Sequence, residues 1–358
     1  MLVRFSLHVL IGIIGLPFVC DWQQAFSQDD IQTEHPQIPP SIPADSLPPE
    51  IDMQTVPAGF KRLPLPPADN ELTPQKVRLG RRLFFDPILS QDGTMACASC
   101  HRPEHGFAGP QPIAVGIGGR TGRRNAPSLL NRGYGTRFFW DGRVDSLESQ
   151  VLLPISNPDE LGSDLEATIQ KLREDACYVE DFSECFGAVS KNLSDVVTAE
   201  NLAKAIASFE RTLIHGSSRV DRFRASDFEA LSREARQGLW IFESRGGCWK
   251  CHSGEAFTDE SFHNTGVGFG KSDRDVGLFE FTGDETDRFK FKTPGLRAVE
   301  LTPPYMHDGS VKTLREVIEF YNRGGAPDDP HLDKRLRPLK LTEEEIEFLV
   351  EFLKALSQ

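Results

Sequence analysis

Two five-residue segments constrain this chain more than anything else in it: Cys97-Ala98-Ser99-Cys100-His101 and Cys248-Trp249-Lys250-Cys251-His252. Cys-x-x-Cys-His is the attachment signature of a c-type haem. The two thiols add across the porphyrin vinyl groups, and the histidine that follows reaches the iron as proximal ligand. A disulfide or a thioredoxin-like pair has no need of a histidine in the fifth position twice over. Neither motif has the second paired cluster of a zinc finger. Cys97, Cys100, Cys248 and Cys251 therefore read as the attachment points of two haems, with His101 and His252 on the irons.

A segment around each motif repeats. Gly80-Arg81-Arg82-Leu83-Phe84 precedes the first and Gly238-Leu239-Trp240-Ile241-Phe242 the second. Two related helical domains are the economical reading. Helix signals carry the rest: Thr73 before Pro74, Thr198 before the stripe Leu202, Ile206, Phe209 and Leu213, Ser232 before a segment ending at Gly246-Gly247, Thr313 before Leu314, Val317, Ile318 and Tyr321, and a capping box of Thr342 with Glu345. Alternating strand patterns are scarce. The expected fold is mainly α, with two cytochrome c-like domains whose haems face each other across the interface.

The N-terminus reads as an export signal over 1–27: Arg4, an apolar run over 7–19, and Ala25-Phe26-Ser27 at the cleavage position. A run of about 13 apolar residues is short for a membrane span, so the mature chain is expected to lack one and to reside in the periplasm. Cleavage and retention as an anchor both stay open. Residues 28–68 are rich in Pro, Ser, Gln and acids and are expected to form a disordered linker. The N-terminal domain is then 69–222 and the C-terminal domain 223–358, whose last helix could pack on the N-terminal domain. Cys177 and Cys185 are either bridged or two free thiols. On one straight helix they would stand about 12 Å apart, too far for a bridge. With 53 Asp+Glu against 40 Lys+Arg the net charge is −13, which argues against nucleic acid as a partner and for a basic protein.

Residues 72–356 resemble the bacterial di-haem cytochrome c peroxidases and their MauG-type relatives. The resemblance rests on the two haem motifs, on 79–87 with Phe84-Phe85-Asp86-Pro87, on Arg124-Asn125-Ala126-Pro127-Ser128, on Phe139-Trp140-Asp141-Gly142-Arg143 and on 301–309, including Tyr305-Met306-His307-Asp308-Gly309. It implies that hydrogen peroxide reacts at the haem of His101 and that the haem of His252 passes electrons. It implies that Trp140 lies between the haems and that Gln150, Pro154 and Glu160 form the distal pocket. It implies a calcium ion held by the Asn125 side chain and the carbonyls of Thr302 and Pro304. A carboxyl above the iron can take a proton from peroxide and return it to the departing oxygen, and burial should raise its pKa towards that task.

Two positions depart from the peroxidase pattern. Where many of these enzymes hold a distal histidine in the resting state, this chain has Ile117, which cannot ligate iron. His105 is the nearest spare histidine and reads as a surface or hydrogen-bonding group. The N-terminal haem is expected to be five-coordinate and open. At the sixth ligand of the C-terminal haem, where peroxidases carry methionine, the count lands on Tyr321, as in MauG-type proteins, with Met306 the only nearby rival. Three functions follow: a peroxidase fed by a small cytochrome c or copper protein, a MauG-type enzyme that oxidises residues of a partner protein, or an electron carrier without catalysis. The open pocket with Glu160 speaks against the last.

Overall fold

Helix signals dominate from Thr73 onward, and helices are what form. The computed structural model describes residues 55–187 and 193–358, and the export signal lies outside them. The helices are α1 (Pro74–Phe85), α2 (Cys97–Cys100), α3 (Leu147–Ser156), α4 (Leu165–Glu174), α5 (Ala176–Phe186), α6 (Ala199–Arg211), α7 (Arg219–Arg224), α8 (Arg233–Glu243), α9 (Phe279–Thr282), α10 (Leu314–Asn322) and α11 (Glu343–Ala355). Their caps are those the sequence advertises. Thr73, Thr198 and Ser232 accept from backbone N–H groups of the first turns of α1, α6 and α8. Thr342 and Glu345 cap α11 reciprocally. Among the described residues the only strands are β1 (Phe262–His263) and β2 (Phe291–Lys292), an antiparallel pair. No described helix is long and apolar enough to cross a membrane.

The sequence repeat has a packing cause. Helix α1 lies on α6, and α8 lies on α11. Gly80 and Gly238 stand where the backbones touch: a Cβ would sit 1.8 Å from the Ala205 carbonyl oxygen in one crossing and 1.9 Å from that of Phe348 in the other. Four residues further on, each pair delivers a phenylalanine from each helix to a third that follows the histidine. The ring centroids of Phe84, Phe107 and Phe209 are 5.2, 6.1 and 6.4 Å apart. Those of Phe242, Phe257 and Phe352 are 4.9, 6.3 and 6.5 Å apart. Phe107 and Phe257 both adopt positive φ, at 54° and 55°. Each triad anchors one apolar core, and the two cores occupy the two halves of the chain.

Four expectations change. Residues 55–68 are packed rather than loose: Phe60 is buried and stacks on Tyr134 at 4.4 Å, and Arg297 Nη2 donates to the Gly59 carbonyl. Aromatic and cation–π burial outweighs the proline-rich composition there, while 28–54 lies outside the described residues. A boundary at 222/223 cuts through α7, whose Val220 belongs to the C-terminal core and whose Asp221 makes a buried ion pair with Arg297 (2.6 Å). Helix α11 packs on α8 of its own half, because Gly238 opens the groove it needs. Cys177 and Cys185 are not bridged to each other: both lie on the one helix α5, and Cys185 is a free thiol.

Gly238→Ala should destabilise the chain by about 1–3 kcal/mol, because the clash is with backbone. Gly122→Ala, whose nearest neighbour is 3.9 Å away, should fall within about 0.5 kcal/mol of the parent. Chemical denaturation of the two variants checks this.

Candidate active site

The residues singled out by sequence converge on one cavity of about 660 Å³. His101, His252, Cys100, Cys248, Cys251, Trp140, Gln150, Pro154, Glu160, Asn125, Thr302, Pro304 and Tyr321 all line it. Cys97 stands three residues before Cys100 on α2 and packs against the N-terminal core. Ile117 and His105 are not among the lining residues.

The two motifs are built alike. His101 N donates to the Cys97 carbonyl and His252 N to that of Cys248, both at 2.9 Å. His101 Nδ1 donates to the Phe107 carbonyl at 3.1 Å, and His252 Nδ1 to that of Phe257 at 3.0 Å. Burial lowers both imidazole pKa values. Each ring is thus neutral, with the tautomer that leaves Nε2 free to bind metal. Burial pushes the Cys97 thiol up to about 12 and those of Cys100 and Cys248 up to about 11. Thiols held that way are the reverse of a reactive redox pair, whose thiolates are stabilised. Paired thiols and an oriented imidazole at each end of a cavity fit a covalently held haem at each end.

The distal wall comes from α3 and the loop after it. Gln150 and Pro154 are four apart on α3 and face the cavity together. Pro154 has no N–H for the Gln150 carbonyl, and the helix ends one turn later. The following loop is fastened: Glu160 and Gly162 donate to the Asn157 carbonyl at 3.0 and 2.9 Å, and Leu161 to that of Pro154 at 3.2 Å. Asn157 Nδ2 donates to Glu160 Oε1 at 2.7 Å. Burial raises the Glu160 pKa against the opposing pull of Asn157 and Arg143. Ile117 explains itself here. Its N–H donates to the Glu160 carbonyl at 2.8 Å, and Arg120 Nη1 donates to the Pro158 carbonyl at 2.8 Å. The segment that could have carried a distal ligand instead braces the loop of Glu160.

At the other end, Tyr321 projects from α10 beside Leu314 and Val317 into the cavity. Burial raises its pKa, the Cys251 and Cys248 sulfurs add to the rise, and Thr265 opposes it. The phenol is therefore neutral until a positive charge meets it. Between the ends, Trp140 Nε1 donates to the Asn125 carbonyl at 2.9 Å. Its ring lies 6.5 Å from His307, which stacks on Phe291 at 3.6 Å. Asn125 N donates to the His307 carbonyl at 2.8 Å, and its Nδ2 to that of Gln111 at 2.7 Å, so the amide oxygen is the atom left for an ion. Burial lowers the His307 pKa to about 4.

Two features escaped the sequence. His263 is clamped between Asp333 (2.7 Å) and Asp259 (2.9 Å). Burial opposes its charge, but Cys251 and the two carboxylates raise its pKa to about 9. Pairs 70 residues apart leave no local pattern. Glu210 is 4% exposed, lines the cavity, and has a side-chain oxygen without a hydrogen-bond partner. Burial raises its pKa to about 8. Its signal was present: it lies four residues after Ile206, on a helix face that is otherwise apolar.

Comparison with known proteins agrees with this geometry. The model of a family described as di-haem cytochrome c peroxidase matches residues 74–229. The methylamine utilization protein MauG of Methylorubrum extorquens is 38% identical over 310 residues, covering 85% of this chain and 85% of that protein. Cytochrome-c peroxidase IdrP1 of Denitromonas iodatirespirans is 36% identical over 328 residues, covering 82% of this chain and 85% of that protein. The crystal structure of a MauG-like protein associated with microbial copper homeostasis superposes with a TM-score of 0.76 at 31% identity, covering 85% of this chain and 95% of that one.

Proposed function

The chain belongs to the di-haem cytochrome c peroxidase and MauG family, and from that premise we propose that it reduces hydrogen peroxide at the end of the cavity marked by His101, with electrons that enter at the end marked by His252. It is a peroxidase-type oxidoreductase. The observation that carries the proposal is the convergence of both Cys-x-x-Cys-His motifs and of Trp140, Gln150, Pro154 and Glu160 on one cavity. A haem at each end, when bound, supplies the redox-active iron. His101 and His252, each with Nδ1 bound to a backbone carbonyl, would hold the two irons through Nε2. Glu160 accepts a proton from the incoming peroxide and returns it to the oxygen that leaves as water. Burial moves its pKa upward, in the direction both tasks require. Gln150 orients the peroxide, and Pro154 excludes a competing backbone donor. Trp140 bridges the ends as the electron relay. Asn125 Oδ1 with the Thr302 and Pro304 carbonyls holds a calcium ion, for which oxygen donors are suited. Ile117, fastened to the loop of Glu160, offers no ligand atom, so an iron held by His101 would be open to peroxide without prior reduction. The donor is a small basic cytochrome c or copper protein that meets the acidic surface, in the periplasm.

A second reading has an observation of its own. Tyr321 lines the same cavity as His252, and a phenolate on an iron there would stabilise the oxidised metal. That favours MauG-type chemistry, in which peroxide's two oxidising equivalents are held until residues of a partner protein supply the electrons.

Glu160→Gln should slow the reaction with peroxide by a factor on the order of 10²–10⁴ without loss of haem. Stopped-flow absorbance measures it, and a parental rate would remove Glu160 from the mechanism. Tyr321→Met should raise the reduction potential of the C-terminal haem and shift its ligand-field bands. Unchanged potential and bands would make Tyr321 a packing residue and take away the main support for the second reading.

A further inference from the structure

The chain carries a net charge of −13, yet one run of it is basic throughout. Lys334-Arg335-Leu336-Arg337-Pro338-Leu339-Lys340 holds four cations and no acid, and all four cations are exposed. The run is fastened at both ends. Asp333 N donates to the Asn264 carbonyl and Leu339 N to that of Asn322, the last residue of α10, both at 2.9 Å. Arg335, Leu336, Arg337 and Leu339 line the cavity. Arg335 Nη1 stands 3.7 Å from Cys251 Sγ. That sulfur marks the thioether edge of a porphyrin held at the His252 end. The propionates of a porphyrin lie on its opposite edge, so they do not account for a cation here. Next to Cys251 in the chain, Lys250 and Trp249 are exposed as well, Trp249 at 47%.

Carboxylates of this chain do not account for the cations either. Arg335 has Asp259 and Asp333 at 3.9 and 4.0 Å, but these two also clamp His263. Lys250, Lys334, Arg337 and Lys340 form no ion pair among the described residues. The acids at the start of α11 are engaged elsewhere: Glu345 with Arg245, and Glu343 and Glu347 with Arg315. Only Glu344 of that turn is left over. An exposed aromatic ring among unpaired cations is the composition of a binding face. We propose that Trp249 and the cations around it are the docking face of the electron donor, and that the donor meets it with a carboxylate-rich patch. This deepens the reading that electrons enter at the His252 end. Net charge and contact charge act over different ranges. Charges further than about 8 Å from a contact are largely screened, so the local rim decides which face of a donor settles there. A donor that is basic overall must still turn an acidic patch to this rim. Each docked donor gives up one electron and is oxidised. Two of them, with two protons, reduce one peroxide to two waters.

The test gives the holoenzyme two probe donors that differ in surface charge: reduced lysine-rich cytochrome c, and the same cytochrome with its lysines succinylated, which puts a carboxylate in place of each cation. With peroxide in excess at low salt, kcat/KM for the succinylated donor should exceed that for the native one by a factor on the order of 10–10³. The gap should close as salt approaches about 1 M. Lys334→Glu combined with Lys340→Glu should lower kcat/KM for the succinylated donor roughly tenfold and raise it for the native one. Each rate is set beside the reaction of chemically reduced enzyme with peroxide, which needs no donor. Trp249→Ala should raise KM for the succinylated donor. A native donor that is the faster one at low salt would overturn the proposal, and so would a preference that the charge reversal does not move. Chemically reduced enzyme that fails to react with peroxide would instead overturn the reading beneath it.

Discussion

Everything else in this structure is arranged around a cavity of about 660 Å³ in the middle of the chain. Side chains from both halves of the chain line it. Burial raises the pKa of the Cys100 and Cys248 thiols that border it and lowers that of both imidazoles, each of which is oriented by a backbone carbonyl.

The two halves solve the same packing problem twice. A glycine lets two helices cross, and each crossing brings two phenylalanines against a third that follows the proximal histidine. The symmetry stops at the distal sides. In the N-terminal half, α3 ends at Ser156, two residues after Pro154, and the loop after it carries Glu160, held by Asn157 and by the backbone of Ile117. In the C-terminal half, α10 runs on unbroken and delivers Tyr321. One scaffold thus presents a buried carboxyl at one end of the cavity and a buried phenol at the other, with Trp140 held to the Asn125 carbonyl.

Much of this was legible in the sequence, for local reasons. The attachment motifs, the caps and the Gly80 and Gly238 repeats are short-range patterns, and they placed the helices and the proximal histidines. The distal set Gln150, Pro154 and Glu160 came through family resemblance. Spacing alone could not show that a loop acid faces a cavity. The clamp on His263 was hidden: Asp259 is only four residues away, but Asp333, the partner that completes it, is 70 residues on. Glu210 was visible as a carboxylate on an apolar stripe, but only burial and a missing partner give that position meaning. Residues 55–68 were misread because composition reports the average tendency of a segment. It does not report the one aromatic ring, Phe60, that anchors the segment against Tyr134 and Arg297.

The central claim is that Ile117 leaves the iron of the N-terminal haem open while Tyr321 closes the other. Electron paramagnetic resonance of the oxidised holoenzyme, before any reductant is added, tests it most directly. The account predicts a high-spin ferric signal from the haem of His101 together with a low-spin signal from the haem of His252. Two low-spin signals and no high-spin component would contradict it, because a sixth ligand would then occupy the place where peroxide must bind.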